Sequence, residues 1–448
     1  MTVLDQLYKD LDFASGDLMS ATDRPCKKRS DWLEKGEWLA AAKRAGAEKI
    51  FFVNNNPIAV FAKCEDNPLD KIKAFNKAWC LARPRLLFLA SPGELTVYDL
   101  DQPPIDENNE AEWGKLDHLD TLNDIANVAT LLQKYHRDHL ESGSLFEDKR
   151  FGDLKNRADK ALIRDLKTVR HELIQAGLSE DKAKFAHALI GRSIFIRYLE
   201  DRGVLTKDYF RNIAGTTAGW TDFLNESTSR WGTDFSSKET FYSRVLKNKD
   251  FTYALFQRLA RDFNGDMFSD VADEEEAVTQ EHLTILQRLL FGDVGFQRKL
   301  FFHSYQFDII PLDLISSIYE EFYHTSAKAD AKKSRARQDG AYYTPGVLVE
   351  FVLSRILTES VLKNKPRVLD PACGSGIFLV EAFRRIVRQK WHKDRRSPTF
   401  AELRTILKEQ IAGIEVNPEA ARIAAFSLYL AMLHYLDPPA ITDQIKNG

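Results

Sequence analysis

Apolar positions recur at two different periods along this 448-residue chain, and the change from one to the other divides it. In the first part, four short runs read as strands: Lys49 to Val53, Ile58 to Lys63, Arg85 to Ala90 and Glu94 to Leu100. Asn54-Asn55-Asn56-Pro57 and Ser91-Pro92-Gly93 separate them with residues that favour tight turns, and a helical pattern near Leu69 to Leu81 lies between the middle pair. From about residue 146 to 310 the helical period dominates. Ala188, Leu189, Ile194, Phe195, Tyr198 and Leu199 form a stripe, and Gly203 stands where that helix should end.

Beyond residue 311 the two periods alternate. Val347, Leu348, Phe351, Val352, Ile356 and Leu357 predict a helix, and Arg367-Val368-Leu369 a short strand. Gly374-Ser375-Gly376 then leads into Ile377, Phe378, Leu379, Val380, Phe383, Ile386 and Val387 at helical spacing. Ile411 to Val416 reads as a second strand with an acid, Glu415, near its end. Asn417 can cap and Pro418 can open the next helix, whose core stripe is Ile423, Phe426, Leu430 and Leu433. The expected fold class is α/β, in three parts: an α/β domain over residues 1–145, a helical connector over 146–310, and a further α/β domain from 311 to 448.

Composition narrows the partners. With 44% hydrophobic and 29% charged residues the chain is an ordinary globular protein, and a formal charge of −3 argues against a uniformly basic nucleic-acid binder. Any phosphate contact would come from local patches. Lys328, Lys332, Lys333, Arg335 and Arg337 form one, and Arg384, Arg385, Arg388, Lys390, Lys393, Arg395 and Arg396 another, each readable equally as a solvated face. Asp266, Asp270, Asp273 and Glu274 to Glu276 lack the spacing of a calcium loop and read as a solvated acidic loop, so no metal site is expected. Cys26, Cys64, Cys80 and Cys373 show no paired spacing, and no apolar run approaches membrane length. Reduced thiols in a cytoplasmic protein, with no membrane partner, are the expectation.

The chemistry concentrates in Asp370-Pro371-Ala372-Cys373-Gly374-Ser375-Gly376-Ile377-Phe378-Leu379. In an open α/β sheet a glycine turn at a strand's carboxyl end lets a ligand approach backbone that a Cβ would block. An acid closing the next strand is where a ribose is held, because two hydroxyls can donate to one carboxylate. Glu415 lies further along than the roughly 20 residues of a dinucleotide fold, since a long helix and the segment Trp391 to Phe400 intervene. Taken singly, each element has a plainer reading. Tyr342 and Tyr343 could be core aromatics, Thr344-Pro345 a helix start, and Glu415 a solvated strand end.

Together, Gly340-Ala341-Tyr342-Tyr343-Thr344-Pro345, the Asp370 stretch and the segment from Gly413 to Leu430 resemble, in this order, three motifs of the N6-adenine DNA methyltransferases. The likeness is to the branch fused to or partnered with restriction enzymes and phage-defence systems. It implies the start of a Rossmann-like domain that binds S-adenosyl-L-methionine. Asp370, Gly374 and Gly376 would line the methionine and sulfonium side, Pro371, Ala372 and Phe378 would also contact the cofactor, Glu415 would take the ribose, and Tyr343, Thr344 and Pro345 would close over the methionine carboxylate. Cys373 would be a small packing residue. The implied partners are double-stranded DNA and a specificity, nuclease or other defence-system subunit.

An exocyclic adenine amine is a poor nucleophile, so such enzymes flip the base out and hold the amine on acceptors from an Asn/Asp-Pro-Pro-aromatic tetrad. The one candidate here, Asp437-Pro438-Pro439-Ala440, ends in alanine and follows a helix, so it reads as a helix-terminating loop and a decoy. The catalytic residues are therefore unassigned, and the chain is expected to be inactive alone. In residues 1–145 the strand pattern resembles the nuclease domain that precedes such methyltransferases. The metal-binding glutamate of its Glu-x-Lys pair falls on Phe61 in Phe61-Ala62-Lys63, which implies a degenerate, non-cleaving domain. The alternative to a methyltransferase component is a non-catalytic DNA-binding or assembly subunit that keeps the cofactor fold as scaffold.

Overall fold

The computed structural model describes residues 2–22, 32–107, 109–123, 128–151, 154–225, 240–263, 271–291, 305–310, 344 and 346–447. Two compact units emerge. Met1–Arg24, Glu34–Arg164 and Lys299–Pro311 contribute to the first, Asp165–Arg298 and Leu312–Gly448 to the second. The fold is mixed α/β, with a sheet in the first unit and a largely helical second unit.

The first unit is a six-stranded sheet in simple sequence order, β1 (Asp17–Ser20), β2 (Ala47–Val53), β3 (Asn56–Lys63), β4 (Leu86–Ser91), β5 (Glu94–Asp99) and β6 (Asp120–Leu122). All four strand-like runs are strands. Asn54 and Asn55 take positive φ, +49° and +67°, and turn β2 back on β3. β3 and β4 are parallel, joined by the helix Pro68–Trp79, which Asn67 caps by accepting from the Asp70 N–H at 2.9 Å. Alternate residues reach one core: Ala59 and Phe61 on β3, Leu86 and Phe88 on β4, Leu95 and Val97 on β5. Phe61, fully buried, stacks on Phe88 at 5.0 Å between centroids and meets Tyr8 and Phe13 edge-on at 5.1 Å each. Phe61 thus sits in a cluster of rings. Residues 305–310 also join this unit: Tyr305 stacks on Trp79 at 5.2 Å, and the Gln306 N–H donates to Cys80 Sγ.

In the second unit the helix Ala183–Asp201 is buried on nearly every side, not along one stripe, because other helices surround it. Gly203, at φ +72°, follows its end as expected. The acidic segment departs from expectation. Val271–Ala277 is a helix, not a solvated loop, and Glu274 is 1% exposed. Its carboxylate pairs with the buried Arg192 guanidinium and accepts from Tyr253 Oη at 3.1 Å, while Arg192 lies over the Phe256 ring at 5.0 Å. A carboxylate can leave water when a cation and a hydroxyl replace its hydration, which sequence spacing does not reveal. Asp266, Asp270 and the basic cluster from Lys328 to Arg337 lie outside the described residues.

The last part of this unit holds β7 (Val368–Asp370) and β8 (Ile411–Gly413), parallel, with Val368 opposite Ile411 and Asp370 opposite Gly413. Two helices, Ile377–Asp394 and Phe400–Gln410, make the crossover that a parallel pair requires. One face of the pair stays open: Leu369, Ile414 and Val416 are 59%, 56% and 89% exposed. Parallel sheets ordinarily have both faces covered, so this is an unusual amount of apolar surface. Among the described residues no helix is long and apolar enough to cross a membrane.

Glu274→Gln should destabilise the second unit by about 3 kcal/mol, because Arg192 would be left buried without its counter-charge. Urea unfolding of the full chain measures this, and a loss under about 1 kcal/mol would contradict the account.

Candidate functional site

The site forms where β7 and β8 end side by side. Their pairing continues beyond the strands: the Ile414 N–H donates to Asp370 O at 2.9 Å, and the Cys373 N–H to Ile414 O at 3.0 Å. This brings the Gly374 turn under Glu415. Glu415 Oε2 accepts the Gly374 N–H at 2.9 Å, and Oε1 accepts the Asn417 N–H at 2.8 Å. Both carboxylate oxygens are thus fixed by backbone donors while each keeps a further lone pair. Asp370 Oδ1 accepts from the Ala372 N–H at 3.1 Å and shapes the first half of the turn. Asn417 caps the Pro418–His434 helix as the sequence predicts, its side chain accepting from the Ala420 N–H at 3.2 Å.

The two glycines do different work. Gly374 has φ +52°, and a Cβ built there would meet nothing within 4 Å, so its face is open. Gly376 has φ +85°, and its Cβ would lie 2.8 Å from Ala424 Cβ and 2.9 Å from Ala424 Cα. The small size of Gly376 is therefore taken up by packing against the Pro418–His434 helix, where ligand approach was the expectation. A third small residue escaped the sequence reading. At Gly413 a Cβ would sit 2.5 Å from Leu379 Cδ1 and 2.9 Å from Cys373 Sγ, and a glycine inside a strand is the signal that could have found it. Cys373 is 8% exposed and packs with Leu379 and Ala424. Burial, with the negative charges of Asp370 and Glu415 adding to it, pushes its thiol pKa up, away from nucleophilic reactivity.

Pro371 and Ala372 are exposed in the turn, and Phe378 is half-buried in the first turn of its helix. Thr344 is half-buried; Tyr343 and Pro345 lie outside the described residues. Asp437 follows the far end of the 17-residue helix whose first turn adjoins Glu415. At 1.5 Å per residue that is roughly 25 Å from the turn. Pro438 then opens another helix, Pro438–Asn447. Among the described residues, no group of three or more His, Cys, Asp or Glu side chains could hold a metal ion.

The basic stretch after the turn is mostly neutralised within the fold. Arg384, Arg385 and Arg388 gather on Glu381, and burial pushes the Arg384 guanidinium down to about 10. Lys390 bridges Asp394 and Glu402 at 2.6 and 2.9 Å, and Arg396 holds both oxygens of Glu402. These charges pair within the fold, which leaves the exposed Lys393 and Arg395 for the reading as a phosphate patch that the sequence left open beside a solvated face.

A glycine turn and a carboxylate thus stand together at the adjoining ends of two parallel strands. Residues 311–444 match the family model described as N-6 DNA Methylase. Among curated relatives, a protein of Methanocaldococcus jannaschii named for a type II restriction enzyme and methyltransferase is 22% identical over 69% of this chain and 30% of its own length. The adenine-specific methyltransferase PglX of Streptomyces coelicolor is 33% identical over 20% of this chain and 8% of its own. The type I restriction enzyme HindI methylase subunit of Haemophilus influenzae is 28% identical over 33% of this chain and 28% of its own. The chain spans less than a third of the length of each of these relatives.

Gly376→Ala should destabilise the second unit by about 1–3 kcal/mol through overpacking on Ala424 and a strained φ. Gly374→Ala, strained at φ but not crowded, should cost about 1 kcal/mol. Thermal unfolding of both variants checks the order; the reverse order would contradict the assigned roles.

Proposed function

We propose that this chain is a component of an adenine-N6 DNA methyltransferase from a restriction-modification or phage-defence system, and that it binds S-adenosyl-L-methionine where β7 and β8 end. The observation that carries the reading is Glu415 gripping the open Gly374 turn inside the segment that matches the methylase family. The residues present fit the group. Glu415 retains lone pairs for two hydroxyls, and the open face at Gly374 leaves room beside the backbone. Asp370, Pro371, Ala372 and Phe378 stand along the same turn, with Gly376 seating it on the helix behind. When bound, the group supplies an electrophilic methyl carried on a sulfonium.

Glu415 would orient the nucleoside, and Asp370 would hold the turn. The amine chemistry belongs to residues other than the Asp437 loop, whose fourth position, Ala440, offers no ring to stack on a flipped base. The relatives' names, an adenine-specific methyltransferase and a restriction-enzyme methylase subunit among them, support DNA as substrate and a multi-subunit system; double-stranded DNA and a specificity or nuclease partner are part of the proposal. S-adenosyl-L-methionine should bind the 448-residue chain weakly in a calorimetric titration. Gly374→Val should abolish that binding, and transfer of a tritiated methyl group to adenine should be undetectable. Absence of binding by the wild type would sink the cofactor reading, and robust transfer would return the Asp437 loop to consideration.

The first unit we read as a nuclease-like domain that does not cut. Phe61 occupies the position of the metal-binding glutamate and is committed to the aromatic core, and Lys63, two residues on, pairs with Glu48. Supercoiled DNA incubated with the chain and magnesium should remain uncut. Magnesium-dependent nicking that EDTA abolishes would overturn this reading.

A further inference from the structure

The Pro418–His434 helix touches the cofactor cradle with its first turns, and near its other end its backbone meets a side chain from the preceding helical stretch. Arg202, just after the Ala183–Asp201 helix, donates from Nη1 to Leu433 O at 2.7 Å and from Nη2 to Leu436 O at 2.6 Å. Nη1 also donates to Tyr198 Oη at 2.8 Å, which fixes the guanidinium in place. The last carbonyls of a helix lack helical donors and carry the negative end of its dipole, so a cation with two aimed N–H groups suits them. From the same helix as Tyr198, Phe195 packs edge-on against Phe426 at 5.4 Å and tilted against Tyr429 at 6.4 Å. The Ala183–Asp201 helix and the arginine that follows it therefore reach both the flank and the end of the Pro418–His434 helix.

What the helix carries at its start is the cradle. Ala424 lies against Gly376 with no room for a methyl group between them, and the Asn417 N–H is held by Glu415 Oε1. Ala424 and Leu433 are separated by roughly 14 Å of helix that contains neither glycine nor proline to bend it. A shift at the Leu433 carbonyl is then a shift of Ala424 under the turn.

We infer that Arg202 is a positioning residue for the cradle: its grip on the Leu433 and Leu436 carbonyls sets the seat of Ala424 against Gly376 and of Asn417 against Glu415. The inference rests on the reading of that cradle as the methyl-donor site. Through Arg202 the helical stretch preceding the methylase segment becomes part of the binding site's frame, although none of it touches the turn directly in the contacts described.

Residue-resolved hydrogen exchange on the full, ligand-free chain tests this, together with calorimetric titration of S-adenosyl-L-methionine. In Arg202→Met, the Gly374, Gly376 and Asn417 amides should exchange roughly fivefold faster, the equivalent of one lost hydrogen bond, and cofactor affinity should weaken by a similar factor. The Phe256 and Leu259 amides of the Lys249–Phe263 helix should keep wild-type protection. Arg202→Lys keeps the charge but reaches one carbonyl, and should lie between; it decides the matter if the methionine variant does not fold. Unchanged exchange at the turn, or equal loss of protection at Phe256 and Leu259, would overturn the positioning role. Wild-type binding with an unaffected turn removes the positioning role and leaves the cofactor reading standing. A turn loosened by the substitution in a chain that never binds the cofactor removes the cofactor reading and leaves the mechanical coupling.

Discussion

One carboxylate holds the ends of two strands together. β7 and β8 are three residues each, too short a ladder to fix a following turn, and the chain supplements them with hydrogen bonds beyond the last paired residues. Glu415 contributes two of these, from Gly374 and Asn417, and so ties turn, strand end and helix start to one side chain. An ionised acceptor makes stronger bonds to backbone N–H groups than a neutral one. The carboxylate read as the nucleoside's grip also shapes the turn beside it.

From that point the frame extends outward through close contacts that tolerate no extra atom. Gly376 against Ala424, and Gly413 against Leu379 and Cys373, let helix and strand approach until the backbone itself is the packing surface. The Pro418–His434 helix then leads from the cradle into the helical bundle, where Arg202 receives its end and Phe195 its flank. Within that bundle the buried pair of Arg192 and Glu274 is the same device in another form, a charge taken from water and compensated by named partners. The first unit shows the opposite choice. At Phe61 an apolar ring fills a core position and stacks on Phe88, so that side chain is held by packing alone.

Much of the site was legible in the residue order. Glycines at positions 374 and 376, the acid after the second strand and the capping asparagine were all placed by local rules, because turn φ angles, helix caps and strand alternation depend on residues a few positions apart. The division of labour between the two glycines was not legible. Both read as ligand-facing, and only the approach of Ala424, distant in sequence, separates a packing glycine from an open one.

By itself, then, the sequence determined which segments become strands and helices in the core, where the turn falls, and which side chains can carry its chemistry. It could not decide partners. β1 and β6 have no strong apolar alternation and exist by pairing at the sheet's two edges, with β2 and β5. Glu274 looked solvated until Arg192 met it across 82 residues, whereas Glu381 meets Arg384 and Arg385 at helical spacing within one helix. The reason is physical: periodicity and capping are short-range, whereas the choice of a counter-charge, an edge partner or a carbonyl for Arg202 depends on which surfaces tertiary packing brings within a few ångströms.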